Sequence, residues 1–451
     1  GRVNYNFDSR YLATVTFRRD GSSRFGKENK WANFPSVALG WNIANEGFFE
    51  NSQLSETINN LKLRGSWGLT GNSEIPVYNS LANLNEYNYV FNGGLVLGLA
   101  DGRLGNPDLK WESTTMTNVG LDASFFNDRL NLTLDYFYNQ TEDLLLFVTI
   151  PSSLGFESIL KNSGSLENRG FEVGLDGYVI NNENFKWNVS GNISFLRNKL
   201  LDLGDSTPFF SSSTSVHLGV DGSWVEAGNP IGVWRGYDYI GIFQSEEEIA
   251  SNPSRSGDKP GYPQYRDVSG DGEITPEDYV IIGDPNPDFT WGLNSTLNYK
   301  NFDMGIFFRG SQGFDVRNLQ ASEIGDGVQK INQLANILTD SWTPSNTSAS
   351  RPVIDGNRDF ANSYRDSDYF IEDGSFIRLQ NLSLGYTIPD IQKYISKARV
   401  FVSGQNLFTI TDYSGFDPEV NNRGQNNLNR GDDYDAYPRS RTLTLGVNLE
   451  F

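Results

Sequence analysis

Apolar and polar residues alternate strictly along the last twelve residues of the chain, from Ser440 to Phe451. In a β-strand, successive side chains point to opposite faces of the sheet, so this pattern predicts a strand with one apolar and one polar face. The apolar set is Leu443, Leu445, Val447, Leu449 and Phe451, and the other set is Thr442, Thr444, Gly446, Asn448 and Glu450.

The same alternation recurs along the whole chain, which predicts an all-β protein with about thirteen strands. Many of these segments are longer than the strands of about 5–6 residues that are usual in soluble proteins. The predicted strands cover residues 1–8, 10–19, 35–44, 59–70, 113–126, 130–139, 171–179, 185–195, 289–299, 301–311, 372–388, 397–411 and 440–451.

The connections between these segments fall into two classes. Some are tight turns, such as Asp8-Ser9, Asn127-Asp128, 181–184 and Lys300-Asn301, and they consist of residues that tolerate turn conformations. Others, at 71–112, 199–286 and 312–371, are long and rich in Gly, Asn, Ser and Asp. Short periplasmic turns and long extracellular loops are typical of a transmembrane antiparallel β-barrel in a bacterial outer membrane. The rival interpretation is a soluble array of β-sandwiches, in which the apolar faces would be buried.

The aromatic residues favour the membrane barrel, and the strand number indicates how much of it the chain contains. Such barrels carry aromatic girdles at both interfaces, and aromatic residues lie near several strand ends: Tyr136, Tyr138, Phe185, Trp187, Trp291 and Tyr299. Backbone groups in lipid must all be paired, and single-chain bacterial barrels have even strand numbers. About thirteen strands therefore predict that residues 1–451 are the C-terminal portion of a larger barrel, whose last strand pairs with a strand outside this sequence.

Composition excludes several classes of function. The net charge of −20 argues against nucleic acid as a partner, because phosphate binding needs a basic face. Cysteine is absent, and the single histidine, His217, lies in a Ser/Thr-rich stretch without motif spacing, so it is interpreted as a loop residue. No apolar run approaches the roughly 18 residues that a membrane helix requires.

Short motifs in a fixed order resemble the barrel of SusC/RagA-type TonB-dependent transporters. The first group is Gly1–Phe7, Arg10–Leu12, Arg19–Gly26, Phe34–Trp41, Leu63–Gly68 and Thr70–Asn72. The second group is Asn106–Glu112, Thr141–Leu145, Asn168–Glu172, Pro230–Gly232, Gly283–Phe289, Gly415–Val420 and Tyr437–Arg439. Together these motifs extend over nearly the whole chain.

The resemblance implies a 22-stranded barrel preceded by a plug domain and a segment that contacts TonB. It implies import of oligosaccharides, with peptides as the second cargo, together with a SusD-like surface lipoprotein. It also implies the outer membrane of a Gram-negative bacterium and no enzymatic activity. The alternative function is that of a secreted, calcium-stabilised β-protein that binds or degrades polysaccharide.

One segment, Asp267–Asp278, follows the spacing of an EF-hand calcium loop. Calcium prefers oxygen ligands, and Gly272 supplies the sharp turn at the sixth loop position. Ile274 is expected to anchor the loop, and the shorter Asp278 replaces the usual Glu at the twelfth position. The predicted ligands are Asp267, Ser269, Asp271, the backbone carbonyl of Glu273, Thr275 and Asp278.

Aromatic residues in or beside the long connection 199–286 are candidates for stacking on sugar rings: Trp224, Trp234, Tyr237 and Tyr239. The alternative, which is favoured, is that they pack the loop against the barrel rim. Arg378 and Gln380 are similarly expected either to contact a polar substrate or to balance neighbouring acidic residues.

Overall fold

The computed structural model describes residues 1–451 except 157, 212–217, 326–330, 356–363, 390–394 and 421–425. His217 lies outside the described residues. The first strands in chain order are β1 Arg2–Phe7, β2 Tyr11–Gly21, β3 Trp31–Asn42, β4 Ile58–Asn72, β5 Asn83–Phe91, β6 Gly94–Arg103, β7 Glu112–Phe125, β8 Leu130–Glu142, β9 Leu145–Thr149, β10 Ser158–Asn162, β11 Ser165–Asn181, β12 Phe185–Asp202 and β13 Phe209–Phe210.

The remaining strands are β14 Trp224–Val225, β15 Trp234–Gly236, β16 Tyr239–Ile242, β17 Pro263–Tyr265, β18 Val280–Gly283, β19 Phe289–Tyr299, β20 Phe302–Gln312, β21 Asp315–Asn318, β22 Ile371–Asp373, β23 Phe376–Ile388, β24 Lys397–Thr411, β25 Asp432–Asp433 and β26 Thr442–Glu450. The α-helices are short: α1 Gly47–Glu50, α2 Glu246–Ser251, α3 Leu319–Gly325 and α4 Ile337–Asp340. Among the described residues, no helix has the length and apolar character needed to cross a membrane.

The long strands form one sheet of thirteen strands, in the order β1-β2-β3-β4-β7-β8-β11-β12-β19-β20-β23-β24-β26. Each of these strands overlaps one of the thirteen segments predicted from the alternation, so the predicted strand set is confirmed. The described residues divide into two compact units. The first comprises 1–179, 188–208 and 226–228, and the second comprises 180–187, 209–225 and 229–451.

In the first unit, the register aligns apolar residues from strand to strand on one face. Val3 is opposite Val15, Val15 is opposite Val37, and Val37 is opposite Trp67. All four of these side chains are exposed. The sheet therefore presents an apolar surface to its surroundings.

The second unit shows the same arrangement. Leu384 pairs with Val402, and Val402 pairs with Leu445, again on one face. Leu445 is 79% exposed, and the neighbouring Leu443 is 77% exposed. In a soluble β-sandwich, alternating apolar residues lie in the core between two sheets. Here they form the exposed face, which is the arrangement of a membrane barrel and argues against the β-sandwich interpretation.

The connections alternate in length along the chain, as predicted. Asp8 and Ser9 both have positive φ, of 52° and 53°, and Asn127 and Asp128 have φ of 58° and 61°. Asn and Asp are among the residues that adopt this left-handed conformation most readily, which explains why these turns can be so short. The connection from β3 to β4 is an exception, since it contains α1 and two 3-10 turns, Ile43–Asn45 and Gln53–Glu56.

Parts of the long connections are folded. Residues 71–112, interpreted from the sequence as an irregular loop, contain the hairpin β5–β6. Its turn, Asn92-Gly93, has positive φ at both positions, 50° and 76°. This is the backbone of a type I′ turn, and Asn-Gly is its preferred sequence.

Candidate functional sites

The face of the sheet opposite the apolar surface carries ion pairs. In the first unit, the Arg64 guanidinium lies 3.1 Å from a carboxylate oxygen of Asp122 and 2.6 Å from one of Asp135. Asn118 accepts a hydrogen bond from Arg64 and donates one to Asp135. In the second unit, Arg399 pairs with Asp303 at 2.5 Å. A polar face of this kind suits a water-filled lumen.

The ion pairs around Arg64 were not recognised in the sequence. The available signal was that charges of opposite sign occupy polar-face positions in β4, β7 and β8. Whether they meet depends on strand register. Arg64 lies opposite Gly120 and reaches Asp122 diagonally, whereas Asp135 lies in the same row, on the far side of Gly120.

The long connections of the second unit fold into what we call the loop layer, defined as the described residues of 229–288, 313–375 and 412–441. It has its own aromatic core, formed by Tyr237, Tyr265, Ile274, Tyr364 and Phe370. Small sheets join the connections to one another, since β21 pairs with both β22 and β25. The loop layer is therefore a packed structure.

A buried ion pair joins two of these connections. Arg317 donates two hydrogen bonds to Asp432, of 2.8 and 3.0 Å, and a third of 2.8 Å to the carbonyl of Asp221. The Arg317 guanidinium also lies over the ring of Trp234, 5.4 Å from its centroid. Both charged residues are buried, so each neutralises a charge that would otherwise be costly to bury.

The candidate sugar-stacking residues pack inside the protein. Trp234 is fully buried, and Trp224 and Tyr237 are nearly so. Trp224 packs against Phe210, while Tyr237 contacts Tyr265 and Tyr279. Tyr239 lies edge-on to Tyr369. The expectation of exposed stacking platforms is therefore wrong for Trp224, Trp234 and Tyr237, which the packing alternative describes. Tyr239 is partly buried.

Arg378 and Gln380 contact neighbouring side chains of the protein. Arg378 is 1% exposed, and its guanidinium lies 2.7 Å from carboxylate oxygens of both Asp417 and Glu419. Gln380 accepts a hydrogen bond of 3.1 Å from Arg309. Arg378 thus balances the neighbouring acidic residues.

The predicted calcium loop is fully described, and its carboxylates already accept hydrogen bonds from the loop itself. One oxygen of Asp278 accepts from the N–H groups of Val268 and Ser269, each at 2.9 Å, and the other accepts from Thr275 N–H at 2.8 Å. Burial opposes the charge of Asp278, but these backbone hydrogen bonds outweigh it and lower the pKa of the carboxyl. Asp267 likewise accepts from Gly270 and Gly272.

This bonding limits the ligands that the loop can offer. Three backbone N–H groups already occupy acceptor positions on the Asp278 carboxylate, whose oxygens have only two lone pairs each. Within the described residues, no group of three or more Asp, Glu, His or Cys side chains is arranged to hold a metal ion. Ile274 is buried in the aromatic core, as predicted for the residue that anchors the loop.

A sheet with an exposed apolar face, a polar opposite face and alternating short and long connections defines a β-barrel protein of the outer membrane. Residues 1–407 match the family model described as TonB dependent receptor-like, beta-barrel. The chain therefore belongs to the TonB-dependent receptor family, and the predicted outer-membrane localisation is confirmed.

Individual relatives agree with this assignment. TonB-dependent receptor P3 of Formosa agariphila is 40% identical over 460 residues, which cover 100% of this chain and 45% of the relative. TonB-dependent receptor SusC of Bacteroides thetaiotaomicron is 34% identical, with 100% and 43% covered. The solved structure of the RagAB peptide transporter matches with a TM-score of 0.83 at 28% identity, covering 100% of this chain and 47% of that chain.

These comparisons also bear on the other predictions. The named relatives are receptors and a transporter, in agreement with the prediction that the protein is not an enzyme. The alternative of a secreted polysaccharide-binding protein is not supported. The chain spans about half the length of the curated relatives it matches.

Proposed function

We propose that the complete protein is a TonB-dependent importer that takes up oligosaccharides together with a SusD-like surface lipoprotein. The observation that carries this proposal is the sheet with a lipid-facing apolar side and an ion-paired polar side, found in a chain of the TonB-dependent receptor family. Energy would come from the TonB complex through a plug and a TonB-contacting segment elsewhere in the protein. Peptide is the second candidate cargo, because the similar RagAB structure is that of a peptide transporter.

A polar recess in the first unit supports oligosaccharide as the cargo. The recess has a volume of about 530 Å³ and lies between the hairpin β5–β6 and the segment around β9 and β10. Amide, charged and aromatic side chains line it, and this combination suits the hydroxyl groups and ring faces of sugars. The lining includes Asn83, Asn85, Tyr87, Asp101, Arg103 and Phe147.

The cargo is tested by titrating the detergent-solubilised full-length protein with neutral and uronic-acid oligosaccharides, and separately with a tryptic peptide mixture. We expect one class of oligosaccharide to give a heat of binding, and we expect the Tyr87→Ala variant to bind that class more weakly. The matched control is Tyr89→Ala, since Tyr89 lies on the same face of the hairpin but does not line the recess. Binding of peptides alone would assign the second cargo.

We propose the same hairpin as a contact for the lipoprotein. Its other face carries exposed aliphatic side chains, among them Val90, Leu95, Leu97 and Leu99. A two-stranded hairpin is only marginally stable alone, and an exposed apolar patch commonly marks an interaction site. Leu97→Lys should weaken co-purification of the lipoprotein with the full-length protein, whereas Asn88→Lys, directly opposite it in the hairpin, should have less effect.

We also propose that calcium fastens the loop Asp267–Asp278. The spacing of its oxygen ligands and the buried anchor Ile274 support this, and binding would require some carboxylates to exchange backbone hydrogen bonds for the ion. Calorimetric titration of the full-length protein with calcium should give heat that Asp267→Ala with Asp271→Ala abolishes. Glu277→Ala, which alters an exposed residue outside the ligand set, is the control. Absence of heat with the unmodified protein would remove the proposal.

A further inference from the structure

The connection from β3 to β4, residues 43–57, differs from the other turns at the same end of the sheet, because it is folded into three helical turns. It is fastened to the neighbouring turn between β1 and β2. The side-chain amides of Asn42 and Asn45 donate hydrogen bonds of 2.5 and 2.9 Å to the carbonyl of Ser9. Its position relative to the sheet is therefore well defined.

Glu46 fixes this segment against the apolar face of the sheet. One of its carboxylate oxygens accepts hydrogen bonds from the Tyr11 hydroxyl at 2.5 Å and from the Trp41 indole N–H at 3.0 Å. Tyr11 and Trp41 are paired in register and lie on the same face as the exposed Leu39 and Val15. The carboxylate, which also lies 3.6 Å from Arg10, thus holds the segment on the lipid-facing side of the sheet.

Large apolar side chains of this segment point into the surroundings. Phe48 is 64% exposed although its ring lies 6.5 Å from that of Trp41. Leu54, at 59% exposure, is a second one. Phe7 and Tyr11, stacked on the same face, continue this aromatic group along the turn end of the sheet. Aromatic residues at such a position favour the boundary between lipid and water.

We propose that residues 43–57 form a membrane-interfacial segment, which inserts Phe48 into the lipid interface and is positioned there by Glu46. The partner is the interfacial zone of zwitterionic lipid. The charged residues of the segment are all acidic, Glu46, Glu50 and Glu56, so attraction to anionic headgroups does not contribute. The surface is continuous with the lipid-facing wall, which identifies lipid as its occupant. This inference does not depend on the cargo or on the lipoprotein.

The test uses the full-length protein in vesicles of phosphatidylethanolamine and phosphatidylcholine. A nitroxide label is attached at Phe48→Cys, after replacement of any cysteine outside this chain, which has none itself. Collisions of the label with oxygen and with a water-soluble nickel complex report its depth. We expect the label at Phe48 to be shielded from nickel severalfold better than a label at the exposed Glu50→Cys in the same helix. Adding anionic lipid should not increase the shielding.

Equal nickel accessibility of the two labels would overturn the proposal. Glu46→Ala in the Phe48→Cys background tests the positioning role, and it should raise nickel accessibility at Phe48 while heat-modifiable gel mobility shows that the barrel remains folded. Unchanged nickel accessibility of the label in that variant would refute the role of Glu46. If the label is shielded from nickel only after a soluble periplasmic protein is added, the partner of the segment is a protein and the lipid proposal is overturned.

Discussion

The buried pair of Arg317 and Asp432 allows a quantitative test of how the loop layer is held together. Replacing Arg317 by Met removes two hydrogen bonds to a carboxylate that is fully buried, together with the guanidinium charge that faces it. Removing one partner of a buried ion pair typically costs about 3–5 kcal/mol. If the loop layer opens and closes faster than it is cleaved, this cost raises its open population, and hence its proteolysis rate, by roughly a hundredfold or more.

The assay is limited proteolysis of the full-length protein in detergent, with the rate of cleavage within the loop layer as the readout. The control is Lys397→Met, which breaks an exposed pair with Glu450 at 3.5 Å and should change the rate little. The double variant Arg317→Met with Asp432→Leu removes both charges and should recover most of the resistance. Equal rates for Arg317→Met and Lys397→Met would refute the reasoning.

Three further predictions follow from other parts of the structure. Leu445→Lys on the lipid-facing side should lower the free energy of unfolding in bilayers by up to about 2–4 kcal/mol, whereas Thr444→Lys on the opposite face should lower it little. Urea titration of both variants measures this difference, and equal losses of stability would contradict the assignment of the faces. Burial, with a contribution from Asp221, raises the pKa of Asp366 to about 6. Between about pH 4 and 6, Asp366 therefore binds a proton more strongly in the folded state than in the unfolded state. The stability of the loop layer should fall as pH rises through this window. Asp366→Asn should flatten that dependence, measured as proteolysis rate against pH, and an unchanged slope would exclude the residue. Gly93→Val should disorder the hairpin β5–β6, seen as faster local hydrogen exchange, while gel mobility of the barrel is retained.

Much of the fold could be predicted because the strands of a membrane barrel repeat one local rule. Alternation with period two depends only on neighbouring residues, so segments such as 289–299 were located to the residue. The hairpin at Asn92-Gly93 was missed even though its turn sequence is a strong local signal. Its strands lack clean alternation because apolar residues occupy both faces, as with Val90 and Phe91.

The candidate sites were less predictable because they depend on contacts between distant parts of the chain. Trp234 was a reasonable candidate for an exposed ring, but it is buried against Arg317, which lies 83 positions further along the chain (317 − 234). The spacing of the calcium loop was visible in the sequence. The engagement of Asp278 by three backbone N–H groups was not visible, because it depends on how the loop closes.

By itself, the sequence determined the strands, the two faces of each strand and the alternation of short and long connections, since these follow from local residue order. It also carried the family motifs. Only the tertiary structure decided which face is exposed, which charges meet across strands and which loop aromatics form a core. These depend on register and on packing between segments far apart in sequence, and a one-residue change of register would reverse every face. The apolar side of the last strand, from Leu443 to Leu449, is thus a local property of the sequence, and its exposure is a property of the fold.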